Sequence, residues 1–195
     1  MRPPQCAGLV QKPEGLRLAQ LASDVPQYQA IVEIGTHTGL STCWMAEGSE
    51  RGRGAHITAV DPWAPPRPGT QDDPFGLVDG DGVYRQFAKN LADEHHWGTV
   101  TPLRARSIEA AGLWVQPVGL VFIDAIHEYD AVRRDYLAWE PHVPVGGWIA
   151  FHDYTEDPAH EYYGVAAAVN GVVVPSGNWG TPEVTEYLWT ARRVA

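Results

Sequence analysis

Cysteine is scarce: only Cys6 and Cys43 occur in 195 residues. Two thiols cannot make a structural zinc site or a disulfide framework. Long apolar runs are missing as well. The start, MRPPQCAGLVQKPEG, has no apolar core long enough for a signal peptide. The most apolar late stretch, GVAAAVNGVVV (164–174), is too short to span a bilayer and contains Asn170. These absences predict a cytoplasmic protein with reduced thiols. Positive charge is also in short supply, with 14 Lys and Arg against 24 Asp and Glu and a net charge of −10. So acidic a chain is a poor partner for a phosphate backbone or an anionic membrane surface, which argues against nucleic-acid and membrane partners. Four Phe stand against eight Trp. Trp is large and rarely fully buried, so some of these rings are expected to line clefts or interfaces, a homo-oligomer's included.

What is present is an ordinary globular chain. Its 44% hydrophobic and 19% charged residues exclude a disordered tail protein. The length suits one domain, 1–195, with at most an inserted lid. Leu18, Leu21, Ala22 and Val25 fall at helical spacing and predict a helix over 14–24, stopped by Pro26. Short apolar runs follow at 30–34, 56–60, 99–103, 119–123 and 148–152. They are rich in Val and Ile without clean alternation, as suits parallel strands buried on both faces. Helix candidates lie between them at 40–48, 83–94, 107–114 and 130–140, and Asp130 reads as an N-cap. This alternation predicts an α/β doubly wound sheet. The run 184–189 alternates better and reads as an edge strand. Residues 62–82, dense in Pro, Gly and Asp, predict either a lid or a disordered insertion at the strands' carboxyl edge.

The polar residues fall at the ends of the apolar runs. The first run ends in Glu33 and the turn Gly35, Thr36, His37, Thr38, Gly39, and the second ends in Asp61. The fourth ends in Asp124, with His127 three residues on, and the fifth in His152, Asp153 and Tyr154. Open parallel sheets bind ligands outside the carboxyl ends of their strands, so these groups are expected to converge on one cleft. Gly35 and Gly39 let the backbone approach a ligand and aim helix-start amides at it. The turn is not the G-x-G-x-x-G fingerprint and lacks a P-loop lysine. Glu33 beside it argues against a pyrophosphate and suits a ligand with a positive group. Asp61 is placed to accept from ribose hydroxyls. Asp124, His127, His152 and Asp153 could bind a divalent ion, the acids favouring Mg or Mn and the histidines Zn, Fe or Ni. The bland alternatives are a plain turn, helix-capping acids and a hydrogen-bonded core histidine. His95 and His96 read as a solvated helix end. Tyr154, Trp63 and Trp179 could stack on a substrate ring or simply pack.

The segments EIGTHTGLST, ITAVDPW and LVFIDAIHEYDAVRRDYLAWEPHVPVGGWIAFHDY resemble class I S-adenosylmethionine-dependent methyltransferases. More narrowly, they are similar to the small bacterial branch of macrocin-type sugar O-methyltransferases and cephalosporin hydroxylase relatives. The resemblance spans roughly residues 30–190 and implies a Rossmann-like sheet of seven strands with the last antiparallel. It implies that Glu33, Gly35 and Gly39 surround the methionine part of S-adenosyl-L-methionine, with Thr36, His37 and Ser41 also at the cofactor. Asp61 would hold the ribose, and Ser107 would lie near the adenine. It further implies a metal on Asp124 and Asp153 and a general base at His127. His152 departs from the pattern, standing where the sugar enzymes carry a carboxylate.

The expected activity is methyl transfer to a hydroxyl of a small polar molecule, a sugar or natural product. A divalent metal on Asp124, His152 and Asp153, Mg or Mn foremost, would lower the hydroxyl's pKa, and His127 would take the proton. Two other readings compete. One is a metal-dependent hydrolase or oxygenase on the same sheet, and the other a non-catalytic module for a nucleoside-like ligand.

Overall fold

A run of Val and Ile becomes an interior strand when neither of its faces meets water. A computed structural model describes residues 3–64 and 80–195 and places such runs in one sheet. In chain order the strands are β1 (Ala30–Ile34), β2 (Ile57–Val60), β3 (Val100–Leu103), β4 (Val118–Ile123), β5 (Trp148–Phe151), β6 (Glu183–Thr185) and β7 (Leu188–Arg192). The helices are α1 (Lys12–Asp24), α2 (Leu40–Arg51), α3 (Gly80–Asp93), α4 (Ser107–Gly112), α5 (Tyr129–Trp139) and α6 (Tyr163–Ala168).

The sheet order is β3-β2-β1-β4-β5-β7-β6. Strands β1 to β5 pair in parallel, and β7 runs antiparallel to both β5 and β6. The doubly wound Rossmann-like sheet with its antiparallel last strand is therefore present. Successive side chains of a strand point to opposite faces, so each central strand feeds two cores. Ile31, Leu120, Phe122 and Ala150 join one core with Leu18 and Leu21 of α1 and Phe87 of α3. Val32, Ile34, Val121, Ile123 and Phe151 join the other with Val132, Tyr136 and Trp139 of α5. All residues of β1 and β4 are buried, which explains why neither shows an alternating pattern.

Several expectations are corrected. Helix α1 begins at Lys12, two residues before the expected 14, because Pro13 sits in the first turn, where a missing N–H costs nothing. The run 184–189 is not one strand. It folds as a hairpin in which Thr185 pairs with Leu188, and Glu186 turns the chain at φ 52°. A turn without Gly or Asn left no mark in the sequence. Asp130 lies in the first turn of α5 behind the N-cap Glu128, so it is not the cap. The apolar stretch 164–174 continues α6 through a π-helical turn, Val169–Val173. No helix among the described residues is long and apolar enough to cross a membrane. Most of the expected lid, 65–79 of 62–82, lies outside the described residues.

Candidate active site

The chain leaves β1 toward β2 and β3, then returns to lay β4 on β1's other side. This switch point opens a crevice at the carboxyl ends of β1 and β4. The two ends are in close contact there. The Asp124 amide donates to Ile34 O at 2.8 Å. Gly35 holds φ 80°, and a Cβ added to it would lie 2.1 Å from Asp124 O. Only glycine fits that approach.

The turn that follows β1 is tethered from all sides. Asp61 Oδ2 accepts from the amides of Thr36 (2.9 Å) and His37 (3.1 Å), and its Oδ1 accepts from the Trp63 amide (2.6 Å). Asn90 donates to Thr38 O, and the Trp63 indole N–H donates to His37 O. Glu33 is fully buried and accepts from the hydroxyls of Ser41 and Thr42 at the start of α2. Burial pushes its carboxyl up to about 8, although the two hydroxyls pull it back. Glu33 and Ser41 therefore brace the turn from beneath. Ser107 stands at the start of α4, where its hydroxyl accepts from the Trp139 indole at 3.0 Å.

The second group gathers at the ends of β4 and β5. Asp124, His152 and Asp153 present donor atoms all within 4.8 Å of one another. His152 Nδ1 lies 3.4 Å from Asp124 Oδ1 and 3.2 Å from Asp153 Oδ2. His127 Nε2 approaches Asp153 Oδ2 at 3.0 Å and Asp124 Oδ1 at 3.9 Å, yet it is buried without an aligned hydrogen bond. Asp153 itself holds φ 56°, an uncommon conformation for a residue with a side chain, and such strain concentrates at functional sites.

The electrostatics are mutual. Burial alone would raise Asp124 and Asp153, but the facing histidines outweigh it and hold both carboxyls below their usual range. Burial would likewise lower the histidines. The two carboxylates reverse this, raising His127 to about 9 and His152 further. The four residues that sequence reasoning grouped are thus brought together, the two histidines facing and balancing the two carboxylates.

Sequence reasoning missed the neighbours. Glu14 of α1 is fully buried and reaches His152 Nε2 at 3.2 Å. His160 and Tyr162 also stand here, with the Tyr162 ring 4.4 Å from the His127 ring. With Leu9, Glu14, His152, Asp153 and Tyr187 they line a cavity of about 230 Å³. A larger one of about 680 Å³ adjoins it across Tyr187 and includes Tyr154, Glu156, Asn170 and Trp189. No local pattern flags Glu14, since an acid in a helix's first turn is ordinary.

Other candidates resolve to packing. Trp63 is buried against Tyr84 and Phe87, at ring distances of 4.9 and 5.1 Å, and is no substrate platform. Trp179 donates to the Tyr136 hydroxyl. His96 is not a solvated residue. It is buried and pairs with Glu50 at 3.0 Å, while His95 is exposed as expected.

Comparison with known proteins decides the class. The model of a methyltransferase domain family matches residues 32–154, from β1 through the His152–Asp153 pair. The chain belongs to this methyltransferase family. The expected class I S-adenosylmethionine-dependent methyltransferase is therefore correct, and hydrolase, oxygenase and passive binding module are set aside. The methyltransferase shares its fold with the O-methyltransferase TomG from Streptomyces achromogenes, which is involved in tomaymycin synthesis and was solved in complex with SAM. The two are 18% identical with a TM-score of 0.68, over 96% of this chain and 82% of that one. The O-methyltransferase NovP is 15% identical with a TM-score of 0.67, over 92% of this chain and 78% of that one. An rRNA methylase from Streptococcus thermophilus is 12% identical with a TM-score of 0.63, over 96% of this chain and all (100%) of that one. Likeness at these identities shows the fold alone and spans unlike acceptors. The acceptor must be argued from the site.

Proposed function

We propose that this methyltransferase moves the methyl group of S-adenosylmethionine to a hydroxyl oxygen of a small polar acceptor, a sugar or natural product, with a divalent ion at Asp124, His152 and Asp153. The observation that carries this reading is the placement of that cluster on the same sheet edge as the Gly35–Gly39 turn, one strand away.

The chain leaves polar capacity open for the cofactor. Thr36 Oγ1 is buried without a partner. Asp61 spends three acceptor positions on amides, and a carboxylate offers about four, so one remains for a ribose hydroxyl. Bound there, S-adenosylmethionine supplies the electrophilic methyl on its sulfonium. Gly35, Thr36, His37 and Gly39 would line its methionine end, Glu33 and Ser41 would hold that turn in shape, and Ser107 lies after β3, on the adenine side.

The cluster likewise suits a divalent ion, with two carboxylates and one imidazole nitrogen converging in a buried place. Asp124, His152 and Asp153 would hold such an ion, which would supply Lewis acidity toward an acceptor hydroxyl. His127 stands beside the cluster with its Nε2 3.0 Å from Asp153 Oδ2, and once an ion took up the carboxylate charge that raises its pKa it would be the base for the hydroxyl proton. The ring of Tyr162 packs against it and, with His160, lines the cavity proposed for the acceptor. No Lys or Arg lines either cavity among the described residues, which favours an acceptor without phosphate groups.

The test is direct. Calorimetry on the folded protein should show S-adenosylmethionine and S-adenosylhomocysteine binding. Turnover with a panel of sugars and hydroxylated aromatics should then fall in chelator and return with added metal. Undiminished turnover in excess chelator would remove the ion from the mechanism.

A further inference from the structure

His152 is gripped on both ring nitrogens, and the two grips differ. On one side Nδ1 faces Asp124 and Asp153 at 3.4 and 3.2 Å. On the other, Nε2 meets Glu14 Oε2 at 3.2 Å. Glu14 comes from α1, 138 positions earlier in the chain. Its carboxylate is fully buried and collects N–H donors: the Gln11 amide on Oε2 at 2.7 Å and the Tyr187 amide on Oε1 at 2.9 Å. A carboxylate so placed acts as an acceptor, so Nε2 must be the donor. Without an ion Nδ1 likewise donates toward the two aspartates; an ion seated between them would replace the Nδ1 hydrogen, and Glu14 would keep the remaining ring hydrogen on Nε2.

We infer that Glu14 is a positioning residue that makes His152 a nitrogen ligand, and that the site therefore selects a first-row transition ion such as Mn(II) or Co(II) over Mg(II). This rests on the divalent-ion reading above and extends it. The chemistry is that of a carboxylate–histidine–metal relay, in which the outer carboxylate fixes both the tautomer and the ring orientation. A set of two oxygens and one imidazole nitrogen suits ions softer than magnesium, which keeps to oxygen. The anchoring also ties metal selection to tertiary structure. Glu14 holds the β6–β7 hairpin through Tyr187 as well, so α1, the hairpin and the metal ligand are set by one buried side chain.

A purely structural Glu14–His152 staple would affect stability and leave metal choice alone. The experiment separates the two. Chelator-stripped full-length protein is titrated with Co(II) and with Mg(II) by calorimetry, with the Co(II) visible spectrum as a second signal. The wild type should bind Co(II) at least about tenfold more tightly than Mg(II). Glu14→Gln should weaken Co(II) binding about 10–100-fold, the usual effect of losing such an outer partner. Its S-adenosylhomocysteine affinity should be unchanged. His152→Asp should swing the preference toward Mg(II). Should Glu14→Gln not fold, nitrogen-15 NMR of histidine-labelled wild type still decides. Added Zn(II) should shift Nδ1 of His152 and leave hydrogen on Nε2. An ion seated on Nε2, or equal affinity for Co(II) and Mg(II), overturns the inference. So does unaltered Co(II) affinity in folded Glu14→Gln. Failure of the wild type and of His152→Asp to bind any divalent ion overturns the underlying metal reading as well.

Discussion

The two halves of the crevice are finished to different degrees. On the β1–β2 side the chain satisfies most of its own polar groups, Thr36 Oγ1 excepted: Asp61 takes three amides, Asn90 and Trp63 hold the turn's carbonyls, and Glu33 takes two hydroxyls. On the β4–β5 side two carboxylates and two histidines are pressed together, and His127 Nε2 is left without an aligned partner. The first half is a cradle, a turn held in shape by the chain's own hydrogen bonds. The second holds concentrated, mutually paired charge, where the proposed ion and acceptor would enter. Pre-organisation lowers the ordering cost of binding, while concentrated charge is what chemistry at an oxygen needs.

Breaking the charged half should produce the largest effects. Asp124→Asn and Asp153→Asn should each abolish measurable divalent-ion binding in calorimetry while S-adenosylhomocysteine still binds, because the cradle hangs on other strand ends. Loss of both ligands together would show that the halves are not separable. His127→Ala should lower kcat by ~10²–10⁴, the usual worth of a general base, with melting temperature and cofactor affinity nearly kept. Near-normal turnover per folded molecule would make His127 a packing residue against Tyr162.

The cradle should answer in stability and affinity instead. Glu33 is raised from 4.5 to about 8 by burial. Between those values the folded chain keeps a proton that the unfolded chain has lost, so stability falls as pH rises from about 4.5 to about 8. The Glu33 contribution to that fall is on the order of 3–5 kcal/mol. Glu33→Gln should flatten this slope in denaturant melts taken across the interval. An unchanged slope would locate the pH dependence elsewhere. The smallest effect is expected at Asp61, where Asp61→Ala should cost about 1.5–3 kcal/mol of cofactor affinity. A loss confined to melting temperature would mean that Asp61 serves the turn and not the ligand.

Legibility in the sequence followed the range of the interaction. The strand ends carrying Asp61, Asp124, His152 and Asp153 could be read because a buried parallel strand has a composition of its own and its carboxyl end is where the sheet binds ligands. The 186–187 turn could not be read, because the hairpin is imposed by pairing of β7 with β5 and uses no turn residue. Trp63 was open between ring stacking and packing until Tyr84 and Phe87 closed around it.

By itself the sequence determined the alternation of elements, the acidic surface and the side-chain types at each strand end, because these depend on near neighbours and composition. Tertiary structure alone decided that Asp61 would brace the turn with its carboxylate, that Ser107 would meet Trp139, and that Glu14 would lie against His152. A buried carboxylate and an imidazole 138 positions apart meet only because α1 packs on α2 beside the sheet and β7 brings Tyr187 over both. No local pattern encodes that meeting, since it arises from the closing of the whole fold.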